Sequence, residues 1–461
     1  MASSITSIDQ VQRVFFIGVA GTGMSALAQY LSGIGKEVSG SDRYFQLGKP
    51  DEIKDKLELE GVRCYPQDGS GIGPHLDLVV VSTAIENSVP EVQQANALNI
   101  PILKRSQLLA LISNSKKTIA VGGTSGKSTT SAMLFDILQA AGLGPGIISG
   151  AGLVSIIKKG KIGNAHVGSG EWLIIEADES DGSIVQYHPE IGLLLNVDKD
   201  HQEMDELMQI FGQFRENSKH FIVNLTNSHA RSLAQNQDFD FATDSGSNAG
   251  IVAADFKQVG MEIRFSIKGE SFHMKSVGRH NMENALAAVS VASFLGVDLK
   301  IASSALANYE GIYRRHQLLG IKHGVHVIDD YAHNPVKCAS SIEACQPIAP
   351  KVIAWFQPHG YGPTRFLKND FIQEFIRVLR PEDEIWMSEI FYAGGTAVKD
   401  ISSDDLIREI RAAGKSAFFV SDRNDFPVQV QSHLTDNCVL LLMGARDPGL
   451  EAFGNYVMQQ I

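Results

Sequence analysis

The stretch Val121-Gly-Gly-Thr-Ser-Gly-Lys-Ser128 directly follows the apolar run Thr118-Ile-Ala-Val121. A strand, a glycine loop and a helix start in this order are typical of a phosphate-binding loop, because the loop and the helix point backbone N–H groups at an anion. Lys127 would supply positive charge to the outer phosphates, and Ser128 would supply a hydroxyl to Mg²⁺. The stretch therefore predicts a nucleotide site.

This glycine loop is one residue shorter than the general P-loop pattern and reads G-x-x-x-G-K-S when counted from Gly122. The alternative interpretation is a glycine-rich turn that only caps a core helix. The co-occurrence of strand, glycines, lysine, serine and a following apolar helix disfavours that alternative. The apolar positions of the helix are Met133, Leu134, Ile137 and Leu138.

The length of 461 residues predicts two or three domains, since a single hydrophobic core rarely grows that large. Hydrophobic residues make up 44% of the chain and charged residues 20%, which is typical of a soluble globular protein. No apolar run is long enough to span a bilayer, and the first residues lack the basic and apolar regions of a signal peptide. We therefore expect no membrane-bound form.

Charge and cysteine content exclude further classes. A net charge of −12 disfavours nonspecific nucleic-acid binding, although a local basic loop can still bind an anionic substrate. The cysteines lie far apart without a C-x-x-C pair, which disfavours a zinc site or a disulfide framework and fits a reducing compartment. We therefore expect a cytoplasmic protein. The cysteines are Cys64, Cys338, Cys345 and Cys438.

Short apolar runs alternate with helical segments along the chain, which predicts an α/β fold with parallel sheets. The alternation falls into three blocks, and we predict domains at residues 1–114, 115–311 and 312–461. The polar segment 233–248 is predicted as a loop or hairpin. The predicted strands are 14–18, 37–42, 76–82, 100–103, 118–121, 172–176, 191–196, 325–329, 352–356 and 438–443, and further helices are predicted at 25–31 and 282–295.

A second glycine turn, Gly18-Val-Ala-Gly-Thr-Gly23, lies between a predicted strand and a predicted helix. Its spacing is G-x-x-G-x-G, whereas NAD sites carry G-x-G-x-x-G, so the turn fits a diphosphate-bearing ligand better than a nicotinamide. Asp42 ends the next predicted strand, where a ribose-binding acid would lie. The alternative is a tight strand–helix turn with a solvent-facing aspartate.

Acidic groups follow two predicted strands of the central block, in Glu176-Ala-Asp-Glu-Ser-Asp181 and Asn196-Val-Asp-Lys-Asp-His201. In open α/β sheets ligands bind at the carboxyl ends of the strands, so these groups should face the same crevice as the glycine loop. Glu176 is a candidate Mg²⁺ ligand, since one or two carboxylates beside phosphates suffice. From residue type alone His201 is a structural or surface histidine, and the acidic run is a solvated loop in the alternative interpretation.

The third block carries polar residues in Tyr313-Arg-Arg-His316, Asp329-Asp-Tyr-Ala-His-Asn-Pro335 and Phe356-Gln-Pro-His-Gly-Tyr-Gly-Pro-Thr-Arg365. Arginines that reach an ATP site neutralise charge on a transferring phosphoryl group. Without the glycine loop these segments would be ordinary polar loops.

Taken together, these segments resemble the Mur ligase family over nearly the whole chain and in family order. The matching segments are GVAGTGMSALA, SGSD, VSTAI, the short P-loop, EADESD, NVDKDH, GRHNMENALAA, YEGIYRRHQLLG, DDYAHNP and FQPH. The resemblance implies a Rossmann-like N-terminal domain for a UDP-sugar, a central P-loop ATPase-like domain with a parallel sheet for ATP, and a Rossmann-like C-terminal domain for an amino acid.

The implied activity is an ATP-dependent amide ligase of peptidoglycan precursor synthesis. It would join the carboxylate of UDP-N-acetylmuramate to the amine of L-alanine through an acyl phosphate, with ATP and two Mg²⁺ ions. Neither nucleic acid nor a membrane is an implied partner, and the resemblance leaves monomer and homodimer open.

The resemblance also implies roles for individual residues. The catalytic set is Lys127, Glu176, His201 and Arg314, and the metal ligands are Ser128, Glu176 and His201. The implied ATP-binding residues are Gly123, Thr124, Ser125, Gly126, Lys127, Ser128, Thr129, Asn281, Asn284, Arg314 and Asp329. The implied UDP-sugar residues are Gly18, Gly21, Thr22, Gly23, Met24, Ser25, Asp42, Ser82 and Thr83, and the implied amino-acid-binding residues are Tyr331, His333, His359 and Arg365.

The chain departs from the family pattern at several positions. Ser125 and Ser128 replace a histidine and a threonine of the loop, and Asn334 replaces a second histidine. Gly360 and Pro363 replace two arginines that read the amino-acid carboxylate, and neither residue can substitute for an arginine fork.

Three alternatives therefore stay open. The first is a muropeptide ligase that attaches a stem peptide, or another amino acid, to the same UDP-sugar. The second is a nucleotide-sensing or scaffold protein that kept the fold without activity. The third is an NAD-dependent dehydrogenase, which the glycine spacing disfavours.

Overall fold

The computed structural model of the chain describes residues 5–46, 51–82, 85–198, 203–235, 238–243, 248–392, 394 and 398–461. The chain separates into two compact units. Unit 1 comprises Met1–Asp255, Phe265–His273 and His280–Ile312, and unit 2 comprises Phe256–Arg264, Met274–Arg279 and Tyr313–Ile461.

Strands and helices alternate along both units. The strands are β1 (Arg13–Ile17), β2 (Glu37–Asp42), β3 (Arg63–Pro66), β4 (Leu78–Val81), β5 (Ile102–Lys104), β6 (Lys117–Gly122), β7 (Gly146–Ile148), β8 (Ala165–His166), β9 (Trp172–Ala177), β10 (Ile191–Leu194), β11 (His220–Val223), β12 (Phe241–Ala242), β13 (Ile251–Val259), β14 (Glu262–Ile267), β15 (Glu270–Met274), β16 (Gln317–Lys322), β17 (Val325–Asp330), β18 (Lys351–Gln357), β19 (Glu384–Ser388), β20 (Ser416–Val420) and β21 (Cys438–Gly444).

The α-helices surround these strands. They are α1 (Thr22–Gly33), α2 (Glu52–Leu59), α3 (Pro90–Ala97), α4 (Arg105–Asn114), α5 (Lys127–Ala140), α6 (Val154–Ile157), α7 (Met204–Asn217), α8 (Ser228–Arg231), α9 (Arg279–Phe294), α10 (Leu299–Ala307), α11 (Pro335–Cys345), α12 (Tyr361–Phe366), α13 (Lys368–Val378), α14 (Ser403–Ala412), α15 (Phe426–Val430) and α16 (Leu450–Gln460). Across the described part of the chain, no helix has both the length and the apolar character that crossing a membrane requires.

The first sheet of unit 1 is parallel throughout, with strand order β3-β2-β1-β4-β5. Its central strand carries Phe15, Phe16 and Ile17 with no exposed surface, as expected of a parallel strand covered on both faces. The chain adds β2 and β3 on one side of β1 and β4 and β5 on the other. The switch point at the carboxyl end of β1, where open α/β sheets bind ligands, is therefore occupied by the glycine turn that begins at Gly18.

The second sheet of unit 1 has the order β11-β10-β6-β9-β7-β8, and only β8 runs antiparallel to its neighbour. The central strand β6 pairs Val121 with Glu176 of β9 and Gly122 with Leu194 of β10. Because these strands are parallel and in register, their carboxyl ends lie at one edge. The glycine loop, the EADESD segment and the NVDKDH segment all begin at this edge.

Unit 2 contains a six-stranded sheet with the order β16-β17-β21-β18-β19-β20. Strand β16 is antiparallel to β17, and the remaining pairs are parallel. The three main sheets confirm the predicted α/β fold class. The segments that follow β17, β21 and β18 emerge side by side, since β21 lies between the other two strands.

Strands β13, β14 and β15, which join β12 in a four-stranded sheet, were not predicted from the sequence. Their exposed faces are mostly polar, so no continuous apolar run marks them. The signal in the sequence was the pair Lys268-Gly269, since glycine is common in two-residue hairpin connections. In the structure both residues have left-handed φ values, +51° and +83°. Within the predicted loop 233–248, the described residues include β12, whereas 236–237 and 244–247 lie outside the described part.

A buried asparagine joins the first and second sheets of unit 1. Asn164 immediately precedes β8 and has no exposed surface. Its amide nitrogen donates to the Thr22 carbonyl oxygen at 2.7 Å and to Ser25 Oγ at 3.0 Å, while its Oδ1 accepts from Gln29 Nε2 at 2.8 Å. These contacts hold the first turns of α1, directly after the glycine turn, against the central sheet.

Replacing Asn164 with alanine should lower the free energy of unfolding by about 1–3 kcal/mol, because buried polar groups of Thr22 and Gln29 lose their partner. Chemical denaturation of the two proteins measures this change. The matched control is Lys161→Ala, which removes the partly exposed ion pair with Glu60 at the same junction and should cost under about 1 kcal/mol. Equal losses in both variants would contradict the role assigned to Asn164.

Candidate active site

The backbone of the glycine loop after β6 requires glycine at two positions. Gly123 and Gly126 have φ values of +137° and +86°, in the region that favours glycine. A Cβ at Gly126 would clash with Asn284 Oδ1. Gly126 also forms the N-cap of α5. The loop therefore wraps closely around the start of α5, whose first-turn N–H groups have no intrahelical partners and can bind an anion.

Asn196, two residues after β10, clamps this loop. Its Oδ1 accepts from Thr124 Oγ1 at 2.8 Å and from the Ser125 N–H at 2.9 Å, and its Nδ2 donates to the Ser125 carbonyl oxygen at 3.1 Å. No role for Asn196 was predicted from the sequence. The only signal was an asparagine at a strand end, because its partners are about seventy positions earlier.

Lys127, the first residue of α5, is held in place by acceptors within the protein. Its ammonium donates to the Gly123 carbonyl oxygen at 2.7 Å and to Glu179 Oε2 at 2.6 Å, with Asp178 Oδ1 at 3.9 Å. Burial raises the pKa of Glu179, and the charge of Lys127 opposes the rise without cancelling it. For Asp178 burial also acts upwards, but Lys127 and hydrogen bonds from Ser180 outweigh it and lower the pKa.

Ser128 and Glu176 converge next to this lysine. Ser128 Oγ donates to Glu176 Oε2 at 2.9 Å. The other carboxylate oxygen of Glu176 accepts from Ser149 Oγ at 2.7 Å and from the Gly150 N–H at 2.6 Å, which orients the carboxylate. A hydroxyl and a carboxylate are the hard oxygen donors that Mg²⁺ prefers, so these residues fit that ion beside bound phosphates.

Of the other residues predicted for the central site, Asn281, Asn284 and Thr129 lie in the described part of the chain and His201 does not. Asn284 lies against the loop: its Oδ1 is 3.3 Å from Thr130 Oγ1, and its Nδ2 donates to Asn281 Oδ1 at 3.3 Å. Both asparagines are buried on α9, and Thr129 lies in the first turn of α5. His201 lies outside the described residues, so its role as a metal ligand stays a prediction.

The N-terminal glycine turn is shaped by Asp42 at the end of β2. Asp42 Oδ2 accepts from the Ala20 N–H at 3.0 Å, and Gly18 donates to the Ser41 carbonyl oxygen at 2.8 Å with φ +80°. Burial raises the pKa of Asp42, although hydrogen bonds from Tyr44 and Ala20 oppose the rise. Asp42 is thus a buried loop anchor in this structure, not a solvent-facing group.

The other residues predicted for the UDP-sugar lie around the same switch point. Gly21 is the N-cap of α1, and Thr22, Gly23, Met24 and Ser25 form its first turn. Ser82 follows β4, and Thr83 lies outside the described residues. The Arg105 side chain packs against Gly23, where a Cβ would lie only 2.9 Å from Arg105 Cδ. The guanidinium of Arg105 lies 3.7 Å from the Asp181 carboxylate. Arg105, which the sequence analysis did not single out, thus connects the glycine turn with the EADESD segment.

In unit 2, Arg314 and Asp329 form a buried ion pair. Arg314 Nε and Nη2 donate to the two carboxylate oxygens at 2.8 and 3.2 Å, and Nη2 also donates to the Gly444 carbonyl oxygen at 3.0 Å. Burial raises the pKa of Asp329, and Arg314 opposes this rise. The structure brings the two residues together, while their predicted contacts with ATP stay predictions.

Three of the residues predicted to bind the amino acid form a ring cluster in unit 2. The His333 ring centroid lies 5.7 Å from that of Tyr331 and 5.8 Å from that of His359. Burial lowers the pKa of His333 to about 4, so this imidazole is neutral at pH 7. Arg365, the fourth predicted residue, instead donates to Asp400 and to the Val398 carbonyl oxygen.

Three family models match successive parts of the chain. They are the Mur ligase family, catalytic domain, at residues 13–117, the Mur ligase middle domain at residues 121–292, and the Mur ligase, glutamate ligase domain at residues 314–446.

Solved structures share the fold. The UDP-N-acetylmuramate–alanine ligase of Thermotoga maritima superposes with a TM-score of 0.79 at 23% identity, over 97% of this chain and 98% of that chain. A murein peptide ligase of Psychrobacter arcticus gives a TM-score of 0.67 at 21% identity, over 97% and 98% of the two chains. At these identities the likeness establishes the fold alone.

Sequence relatives are more similar. The UDP-N-acetylmuramate–L-alanine ligase of Acidithiobacillus ferrooxidans is 32% identical over 455 residues, covering 94% of this chain and 95% of the relative. The enzyme of the same name from Neisseria gonorrhoeae is also 32% identical, over 95% and 96% of the two chains. Identity of this degree over nearly the full length, with three ordered family matches, shows common descent. The chain belongs to the Mur ligase family.

Proposed function

We propose that this protein is an ATP-dependent ligase that joins the carboxylate of UDP-N-acetylmuramate to the amine of L-alanine in peptidoglycan precursor synthesis. The observation that carries the proposal is the convergence of Lys127, Ser128 and Glu176 at one sheet edge, in a chain whose relatives bear that activity in their names. ATP and UDP-sugars are cytoplasmic metabolites, so we place the reaction in the cytoplasm.

The chemistry explains the need for ATP. A carboxylate is a poor acyl donor because its leaving group would be oxide. Attack of a carboxylate oxygen on the γ-phosphorus releases ADP and forms an acyl phosphate, whose leaving group is inorganic phosphate. The amine of the amino acid then attacks the acyl carbon, loses a proton, and expels phosphate from the tetrahedral intermediate to leave the amide.

The glycine-loop residues supply charge and orientation to the first step. Lys127 would exchange its contact with Glu179 for the γ-phosphate and offset the repulsion between two anions. Ser128 and Glu176 would hold one Mg²⁺, and His201 a second. When bound, Mg²⁺ neutralises charge on the phosphate oxygens.

The other assignments follow the three-domain division at residues 1–114, 115–311 and 312–461. We propose that Asn281, Asn284 and Asp329 bind the adenosine part of ATP and that Arg314 contributes charge to its phosphates. Tyr331, His333, His359 and Arg365 are proposed to line the amino-acid site. The UDP-sugar would bind at the switch point of the first sheet, along the turn from Gly18 to Ser25 with Asp42, Ser82 and Thr83.

A second candidate function differs only in the acceptor. Gly360 and Pro363 offer no charge to an amino-acid carboxylate, and a stem peptide presents no carboxylate on the residue that bears its attacking amine. A muropeptide ligase that attaches such a peptide to the same UDP-sugar would therefore tolerate these residues.

Phosphate release from ATP tests both candidates. The assay contains UDP-N-acetylmuramate and, in turn, L-alanine, glycine, L-serine or a stem tripeptide. Release that requires both the UDP-sugar and L-alanine is the expected result. Release only with the tripeptide would select the second candidate, and no release with any acceptor would refute the ligase assignment.

Asn196→Ala should raise the KM for ATP by about 10-fold or more, because the loop loses the side chain that orders it before binding. Steady-state kinetics with each substrate varied in turn measures this effect, and the KM for the UDP-sugar should not change. The control is Asn308→Ala, since Asn308 is an exposed asparagine of unit 1 that donates to Ser304. A fall in kcat with an unchanged KM for ATP would argue against the clamp.

Glu176→Gln should keep the fold, since the amide retains an oxygen for Ser149 and Gly150. The Mg²⁺ concentration for half-maximal rate should rise by at least about 10-fold, the scale seen when a residue that merely orients a metal ligand is lost. Rates measured across a Mg²⁺ titration test this. Glu171→Gln, at an exposed residue just before β9, is the control. An unchanged Mg²⁺ dependence would remove Glu176 from the metal site.

A further inference from the structure

An arginine that the sequence analysis did not consider lies at the same sheet edge as the proposed amino-acid site. Strand β21 lies between β17 and β18, with Met443 opposite both Asp330 and Phe356. The segments that follow the three strands therefore start side by side. They carry Tyr331 and His333 after β17, Arg446 after β21, and His359 after β18.

The backbone presents Arg446 in an unusual conformation. Its φ of +63° is in the left-handed region, which an L side chain occupies only against steric resistance.

The segment around Arg446 is anchored on both sides: Arg314 Nη2 donates to the Gly444 carbonyl oxygen at 3.0 Å, and Gly449 N–H donates to Asp447 Oδ1 at 2.7 Å. Arg423 Nη1 adds a bond to Gln357 Oε1 at 2.9 Å and one to Asp447. Fixed neighbours thus hold Arg446 in a strained position, which is typical of functional sites.

The guanidinium of Arg446 is available to a ligand. The residue is exposed, and within the described ranges it takes part in no ion pair or side-chain hydrogen bond. Burial and the charge of Arg446 together lower the pKa of His359, which keeps that imidazole neutral. An anion bound beside the neutral rings would therefore meet a positive charge from this side.

Neighbouring cations are less suited to this task. Arg365 is engaged by Asp400 and the Val398 carbonyl oxygen, and the residues at 360 and 363 are uncharged. Arg315 stacks over Tyr331, with Cζ 5.0 Å from the ring centroid, and is the competing arginine to be tested.

We propose that Arg446 binds the α-carboxylate of the acceptor amino acid and so determines acceptor specificity. This inference rests on the proposed ligase function. A guanidinium offers two parallel N–H donors to a carboxylate, which would hold the amino acid by the group adjacent to its attacking amine. A single amino acid would thereby be favoured over an amide or a peptide, neither of which carries that carboxylate.

The decisive variant is Arg446→Gly. Glycine adopts φ +63° without steric resistance, so the melting temperature should hold or rise while the guanidinium is lost. The KM for L-alanine should increase by about 10- to 100-fold, the loss expected for a hydrogen bond to a charged group. The KM values for ATP and UDP-N-acetylmuramate should not change. The preference for L-alanine over L-alaninamide, as the ratio of kcat/KM values, should fall by the same factor.

Two further variants complete the design. Arg408→Gln removes one positive charge from α14 of unit 2 and should leave all kinetic constants unchanged. Arg315→Gln tests the competing arginine. An unchanged KM for L-alanine in Arg446→Gly would overturn the inference. The same holds if the KM for L-alanine rises in Arg315→Gln but not in Arg446→Gly. In both cases the activity of the wild-type protein would leave the ligase assignment standing. Wild-type activity with a stem tripeptide but not with L-alanine would also overturn it, and inactivity with every acceptor would overturn the ligase assignment too.

Discussion

The in-register pairing of β6 with β9 and β10 is the constraint on which the candidate site depends. It places Glu176 opposite Val121 and ends β10 opposite Gly122, so that three connecting segments start at one edge. Ser128 then meets Glu176 across the edge, and Asn196 meets the glycine loop. A shift of one residue in the β6–β9 pair would turn Glu176 to the opposite face of the sheet and separate the hydroxyl from the carboxylate.

Buried hydrogen bonds extend this arrangement to the first sheet. Glu176 accepts from Ser149 Oγ, the Ser149 N–H donates to the Asn164 carbonyl oxygen at 2.9 Å, and the Asn164 side chain binds the first turn of α1. A continuous chain of polar contacts therefore connects the proposed metal ligand with the glycine turn proposed for the UDP-sugar. Such satisfied networks position groups rigidly, because each buried member loses a partner if another moves.

Charge in unit 2 is distributed differently. Arg314 is neutralised by Asp329, and Arg365 is engaged by Asp400, so both have carboxylate partners within the protein. Burial lowers the pKa values of His333 and His359, which leaves the ring cluster neutral. Arg446 retains an exposed charge at this edge, and that contrast is the basis for proposing that it binds a ligand carboxylate.

Local patterns in the sequence determined the central strands of the three main sheets, the glycine turns and the candidates Lys127, Ser128 and Glu176, because strand formation, left-handed backbone and helix N-termini depend on residues a few positions apart. The family resemblance added the three-domain assignment. The tertiary structure alone decided the roles of Asn196 and Asn164, whose partners lie 71 and 142 positions away. It also decided which arginines are already paired and that Arg446 emerges beside His359. No local pattern encodes such contacts, since they arise only when strand order brings distant segments to one edge.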